Sequence, residues 1–108
     1  MTDQQFERAA RLADLPDGAP FGIELSSGER VCLVRVGDEV FGLADQCTHA
    51  DFPMGDGEMV DDYVIECALH GAQFDVRTGQ VLESPATDAL PTFEVRVTDG
   101  EVWVKARP

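Results

Sequence analysis

The chain has few basic residues and no long apolar run. Its 108 residues include 21 acidic and only 8 basic side chains, for a formal net charge of -13. A surface this negative repels nucleic-acid backbones and anionic membrane surfaces, so we expect neither as a partner. No apolar run approaches the length that crosses a bilayer, and the first residues form neither a basic nor an apolar leader. These absences predict a cytoplasmic protein that is not embedded in a membrane.

Cysteine and histidine are also scarce, with three and two residues respectively. An odd cysteine count gives no even set for a disulfide framework, which is typical of a reducing compartment. Cys32 lies in the apolar run Val31-Cys32-Leu33-Val34 and is predicted to be a buried thiol that fills core space. The other two cysteines and both histidines are therefore the candidate metal ligands.

Those four residues form two short pairs, with 17 residues (Ala50 to Glu66) between the pairs. The pairs read C-x-H and C-x-x-H, and their members are Cys47, His49, Cys67 and His70. Two thiolates and two imidazoles satisfy tetrahedral zinc, but zinc sites usually pair C-x-x-C with H-x-x-x-H. One sulfur and one nitrogen in each pair also suit a two-iron cluster with both sulfurs on one iron and both nitrogens on the other. We keep zinc as the alternative.

The residues around both pairs strengthen the iron interpretation. Gln46–Ala50 and Cys67–Asp75 resemble the two cluster-binding boxes of Rieske proteins, specifically the soluble ferredoxins of bacterial aromatic-ring dioxygenases. Thr78-Gly79 and the Ser84-Pro85-Ala86 loop extend this resemblance, which covers roughly residues 30–105. It implies one Rieske-type 2Fe-2S cluster with Cys47 and Cys67 on one iron. His49 and His70 would hold the other iron.

Four neighbouring positions place the chain within that family. Respiratory Rieske proteins carry a disulfide between their boxes, whereas the corresponding residues here are Phe52 and Leu69. The same proteins place serine and tyrosine hydroxyls near the cluster sulfurs, whereas this chain has Ala72 and Phe74. Because hydrogen bonds to the sulfurs raise the potential, the resemblance predicts a low-potential centre.

The chain lacks what catalysis would need. A Rieske oxygenase holds a second iron through two further histidines, and none remains after His49 and His70. No G-x-G-x-x-G motif is present to bind a dinucleotide. The resemblance therefore implies a one-electron carrier, and not an enzyme, between an NAD(P)H-dependent flavoprotein reductase and a terminal Rieske non-heme iron oxygenase. A cytochrome P450 system, iron-sulfur assembly, a nitrite reductase small subunit and a zinc-binding interaction module remain alternatives.

The apolar runs are short and separated by turn residues, which predicts an all-β protein. The resemblance implies Rieske-type stacked antiparallel sheets with the cluster at one tip. We expect one domain over residues 1–108, a cluster-binding subdomain at 46–86 and a monomer. Helical composition in Asp3–Ala13 competes with a strand from Phe6 that the resemblance favours. The other predicted strands are Gly22–Leu25, Val31–Val36, Val40–Ala44, Glu58–Val60, Tyr63–Glu66, Phe93–Val97 and Glu101–Lys105.

The spacer between the ligand pairs carries only acidic charges. They are Asp51, Asp56, Glu58, Asp61, Asp62 and Glu66. These residues form either a solvated surface or a docking face beside the cluster for basic redox partners.

Overall fold

The computed structural model describes residues 6–45, 54–67, 71–83 and 89–105. In these ranges there are eleven strands and two short 3-10 turns, with no α-helix. The strands are β1 (Phe6–Arg11), β2 (Pro20–Glu24), β3 (Arg30–Val36), β4 (Glu39–Ala44), β5 (Glu58–Asp61), β6 (Val64–Glu66), β7 (Gln73–Asp75), β8 (Val81–Glu83), β9 (Thr92–Phe93), β10 (Val95–Thr98) and β11 (Glu101–Lys105). The predicted all-β class is confirmed.

The strands form three antiparallel sheets. The terminal sheet has the order β1-β11-β10, and the middle sheet has the order β2-β3-β4-β9. The insert sheet, β5-β6-β7-β8, consists of four strands that follow one another between β4 and β9 of the middle sheet. This sequential order makes the insert sheet a meander whose loops alternate between its two ends.

The middle sheet is covered on both faces. Val31 and Leu33 of β3 belong to an outer core with the terminal-sheet residues Val102 and Val104. Cys32 and its neighbour Val34 point the other way, into an inner core shared with the insert sheet. Because side chains alternate along a strand, a strand buried on both faces must be continuously apolar. This explains the uninterrupted run in which Cys32 lies.

Two hairpins flank the core, at the turn residues Gly37-Asp38 and Asp99-Gly100, where the alternation of the sequence predicts them. Residues of β3 and β4 pair from Val36↔Glu39 onward, and β10 pairs with β11 through Thr98↔Glu101. Asp99 and Gly100 have φ of 54° and 75°, the two positive values that a type I′ turn requires. Phe93 is buried as expected, but Val97 is 38% exposed. Val97 lies opposite the buried Val102, on the side of the hairpin that faces the core, and it is partly exposed because β10 is an edge strand of the terminal sheet.

The strand predicted from Phe6 begins at that residue. Phe6 pairs with Lys105 and Arg11 with Glu101, so β1 gains its partner from the far end of the chain. This pairing overrides the helical composition of Asp3–Ala13, because backbone hydrogen bonds to a neighbouring strand outweigh a weak local propensity. Within the described ranges, the chain contains no helix of the length and apolarity needed to span a bilayer.

Polar and aromatic contacts hold one end of the insert sheet against β4. The Phe41 and Tyr63 rings meet edge to face with centroids 5.8 Å apart. The Tyr63 hydroxyl donates to Glu39 Oε1 at 3.1 Å, and the Arg77 guanidinium lies 4.3 Å from the centre of the Tyr63 ring. Hydrogen bonds from Arg77 hold the pKa of Asp75 below its usual value. The insert sheet is therefore anchored at the end away from Cys67.

Candidate metal centre

Of the four predicted ligands, the structure describes Cys67. It follows β6 directly, is 1% exposed and belongs to the inner core. Cys47, His49 and His70 lie outside the described residues, so the ligand assignment as a whole stays a prediction. Cys67 is where a cluster ligand should be, since a buried thiolate is removed from water and from competing reactions.

Two backbone hydrogen bonds join the residues on either side of segment 68–70, which carries His70. Cys67 N–H donates to the Ala72 carbonyl at 2.8 Å, and Gly71 N–H donates to the Cys67 carbonyl at 3.0 Å. Gly71 has a φ of +78°, a left-handed conformation that glycine adopts without steric cost. The described residues on either side of His70, Cys67 and Gly71 with Ala72, are therefore held close together next to the start of β7.

The register of the insert sheet shows where the ligand-bearing segments leave it. Glu58 lies opposite Glu66, Glu66 opposite Gln73, and Gln73 opposite Glu83. These four residues form one row across the sheet at the end that carries Cys67, which we call the ligand end. The chain enters β5, leaves β6, enters β7 and leaves β8 at this end. The predicted strands Glu58–Val60 and Tyr63–Glu66 form a hairpin from which both ligand loops should leave at one end, and the residues that flank the loops confirm this.

The segment at 84–88 follows Glu83 at the ligand end, and the residues after it lie against the β7–β8 turn at the other end of the insert sheet. Leu90 N–H donates to the Gly79 carbonyl at 2.8 Å, and Leu90 is 2% exposed. Gly79 has a φ of +79°, and a Cβ at this position would overlap the Leu90 carbonyl oxygen. The predicted Thr78-Gly79 turn therefore requires glycine for two independent reasons. Ser84-Pro85-Ala86 lies outside the described residues.

The two positions where a hydroxyl is missing lie beside Cys67 in the inner core. Ala72 and Phe74 are both 0% exposed, and both belong to the same buried cluster as Cys67. Neither side chain is accessible to water, so a hydroxyl added at either position would lie in a dry, apolar region. Phe52 and Leu69, at the positions of the respiratory disulfide, lie outside the described residues.

The acids of the spacer are divided between opposite ends of the insert sheet. Glu58 and Glu66 lie at the ligand end, whereas Asp61 and Asp62 lie at the β5–β6 turn. The length of β5 separates the two groups by about 10 Å. The hairpin carries Asp61 and Asp62 to the end away from Cys67, which favours a solvated surface over a docking face for these two residues. Asp51 and the Asp56 side chain lie outside the described part.

Cys32 is the buried thiol that the sequence predicts. It is 0% exposed, and burial together with the negative charge of Asp45 raises its pKa to about 12. Metals bind the thiolate form, so a thiol that holds its proton this strongly is a poor ligand.

Asp45 is a residue that the sequence analysis missed. It follows β4 directly, is 5% exposed and accepts a hydrogen bond from Gly55 N–H at 2.6 Å through Oδ1. Its Oδ2 lies 3.7 Å from Nη2 of Arg30. The only sequence signal was an acid two positions before Cys47, which is too common to single out.

The donor set fits a 2Fe-2S cluster. The Cys67 sulfur is buried, and the described residues next to both ligand boxes lie at one end of one sheet. Apolar neighbours such as Ala72 and Phe74 would keep water from the sulfur side.

Comparisons with known proteins agree with this site. The family model of the Rieske [2Fe-2S] domain matches residues 5–94, a start well before residue 30, where the resemblance in the sequence begins. The 3-phenylpropionate/cinnamic acid dioxygenase ferredoxin subunit of Escherichia coli is 38% identical over 96 residues, covering 89% of each chain.

Two solved structures match over nearly the whole chain. The ferredoxin of carbazole 1,9a-dioxygenase from Nocardioides aromaticivorans superposes with a TM-score of 0.90 at 32% identity, covering 95% of this chain and 99% of that one. A chain from a complex of reduced oxygenase and oxidized ferredoxin in carbazole 1,9a-dioxygenase gives 0.87 at 34% identity, with 94% of both chains covered. This chain belongs to the Rieske [2Fe-2S] domain family, and its cofactor is one Rieske-type 2Fe-2S cluster.

Proposed function

We propose that this chain carries single electrons from an NAD(P)H-dependent flavoprotein reductase to a terminal Rieske non-heme iron oxygenase of an aromatic-ring dioxygenase system. The observation that carries the proposal is the 38% identity, over most of both chains, to a dioxygenase ferredoxin subunit. The cluster supplies a centre that accepts and releases one electron. The protein's part is to hold the cluster at one end of the insert sheet, where a partner protein can approach it.

We propose that Cys47 and Cys67 bind one iron through sulfur and that His49 and His70 bind the other through a ring nitrogen. The burial of Cys67 supports the sulfur side of this assignment. The common exit of both ligand segments supports the pairing, because it brings the two boxes to one end of the insert sheet. His49 and His70 are the only histidines in the sequence.

The cluster content tests the assignment directly. We expect two irons and two acid-labile sulfides per chain, and a reduced EPR signal with an average g below about 2, as unlike ligands on the two irons require. Cys47→Ser and Cys67→Ser should abolish the native cluster, and His49→Ala and His70→Ala should abolish or destabilise it. Cys32→Ser is the matched control, because it removes a thiol and should leave the EPR signal unchanged. Stoichiometric zinc without sulfide, or a fully loaded His70→Ala protein, would contradict the proposal.

Electron transfer to the partners needs its own measurement. Stopped-flow mixing of the reduced protein with an aromatic-ring oxygenase should show re-oxidation of the cluster in step with oxygenase reduction. A cytochrome P450, iron-sulfur assembly or nitrite reductase partner would be favoured instead if only those acceptors were reduced at a comparable rate.

We also propose that residues 1–108 form a single domain, with residues 46–86 as its cluster-binding part, and that the protein is a cytoplasmic monomer. The insert sheet, which lies between β4 and β9, supports a separate cluster-binding part. Cys32 has no disulfide partner among the described residues, which fits a reducing compartment. Sedimentation at micromolar concentration tests the monomer.

A further inference from the structure

Asp45 is the only charged residue that is buried among the described residues, at 5% exposure. It stands between the end of β4 and the first ligand box, two positions before Cys47. Removing a carboxylate from water is costly unless hydrogen bonds and an opposite charge compensate it. The contacts of Asp45 therefore show how its buried charge is compensated.

The carboxylate joins the two ends of the segment that carries the first ligand pair. Its Oδ1 accepts a hydrogen bond from the backbone N–H of Gly55 at 2.6 Å, in the range of strong charge-assisted bonds. Asp45 precedes the segment 46–53, and Gly55 lies just after it. One side chain therefore closes the loop that contains Cys47 and His49. Its own backbone N–H donates to the Arg30 carbonyl at 3.1 Å, so the closure is tied to the middle sheet.

Two glycines provide the space for this closure. A Cβ at Gly22 of β2 would lie 3.0 Å from Asp45 Oδ2. A Cβ at Gly55 would lie 3.2 Å from the Gly22 backbone nitrogen and 3.3 Å from Asp45 Oδ1. The carboxylate is therefore held between two backbones that approach closely, and its position is determined by packing as well as by the hydrogen bond.

The ion pair with Arg30 holds the Asp45 carboxylate less firmly than the hydrogen bond from Gly55 N–H does. Arg30 Nη2 lies 3.7 Å from Oδ2, and the Arg30 side chain is 63% exposed. An ion pair this open to solvent is screened and contributes little. The specific contact is therefore the one between Asp45 and Gly55.

We propose that Asp45 is a positioning residue for the cluster, which fixes the first ligand pair by clamping the two ends of its loop. This inference rests on the proposed binding of the cluster by Cys47 and His49. Groups that orient metal ligands from behind commonly change metal retention by about 10- to 100-fold when they are removed. Asp45 would act in this way through the backbone, by reducing the number of conformations open to the loop.

Three variants separate positioning from general stability. Asp45→Ala removes the hydrogen bond, and cluster loss to an iron chelator should become about 10- to 100-fold faster, with shifted EPR g-values. Asp45→Asn keeps an oxygen that accepts from Gly55 N–H, so it should restore most of the retention. Gly22→Ala pushes the carboxylate from β2, where Asp45 is the neighbour of the new Cβ among the described residues, and it should change the g-values in the same direction as Asp45→Ala. Arg30→Gln is the matched control and should retain the cluster like the wild type.

The readouts distinguish this inference from the assignment of the ligands. A wild-type protein without iron and sulfide would refute the proposed function itself. A wild type with its cluster, together with an Asp45→Ala protein that keeps the wild-type g-values, potential and rate of cluster loss, would overturn only the positioning role, even if its melting temperature falls. Asp45→Asn behaving like Asp45→Ala would also overturn it. If Asp45→Ala does not fold, Gly22→Ala and Asp45→Asn still decide the outcome.

Discussion

Ala72 and Phe74 offer a direct way to change the reduction potential from inside the core. Both side chains are fully buried in the cluster of residues that contains Cys67, and the Ala72 carbonyl accepts the Cys67 N–H at 2.8 Å. Ala72→Ser and Phe74→Tyr each add a single hydroxyl to this dry region. The test is whether each new hydroxyl donates to a cluster sulfur or does not.

The first outcome changes the reduction potential, and the second changes the folding free energy. A hydroxyl that donates to sulfur favours the added electron, and about 1 kcal/mol of preference for the reduced state corresponds to roughly 40 mV for a one-electron couple. A buried hydroxyl without a partner instead costs about 1–3 kcal/mol of folding free energy. We expect the wild-type potential near the lower end of the Rieske range, about -150 to +300 mV, and a rise of roughly 40 mV or more in each variant.

Voltammetry measures the potential, and thermal unfolding of the same samples measures stability. Val104→Thr is the control, since Val104 is 0% exposed in the outer core and belongs to the terminal sheet. It should lose stability and leave the potential unchanged. A Phe74→Tyr protein that is destabilised at the wild-type potential would refute the contact with sulfur. A wild-type potential well above about 0 mV would refute the account of the missing hydroxyls altogether.

Three further predictions concern the thiol, one turn and the surface charge. The folded protein holds the Cys32 proton up to a pKa of about 12, whereas an unperturbed thiol loses it near 9.0, so folding stability should fall as pH rises from 9 toward 12. Urea unfolding near pH 10.5 should show a penalty of about 2 kcal/mol that Cys32→Ala abolishes. Gly79→Ala should destabilise by about 1–3 kcal/mol more than Gly28→Ala, because both glycines have positive φ but only Gly79 packs against a carbonyl. Glu83→Lys, at the ligand end, should slow electron transfer to a basic partner at low salt, whereas Asp62→Lys should not.

Each of these three predictions has a result that would contradict it. An unfolding free energy whose pH dependence survives Cys32→Ala would assign the slope to other groups. If Gly79→Ala and Gly28→Ala lower the free energy of unfolding equally, the Leu90 carbonyl moves aside at no cost. Stopped-flow rates across a salt series that are insensitive to Glu83→Lys would make the acids at the ligand end a solvated surface, since screening limits surface charges to about 8 Å at 0.15 M salt.

The sequence by itself was sufficient for the features that depend on neighbours along the chain. Alternation and turn residues predicted the hairpins at Gly37 and at Asp99-Gly100, and the two ligand boxes indicated the 2Fe-2S cofactor of the family that matches. The apolar run around Cys32 predicted its burial. Each of these features depends on the spacing of side chains within one strand, one turn or one ligand box, which is directly visible in the order of residues.

The tertiary structure decided what depends on contacts between distant segments. The pairing of β1 with β11 replaced a helical composition by a strand, and the edge position of β10 exposed Val97. The hairpin of the insert sheet separated Asp62 from Glu66, although both lie in one acidic stretch of sequence. Asp45 became a buried clamp only because Gly22 and Gly55 approach it from other parts of the chain. The physical reason is that burial and charge proximity are set by packing between elements, which local sequence patterns do not encode.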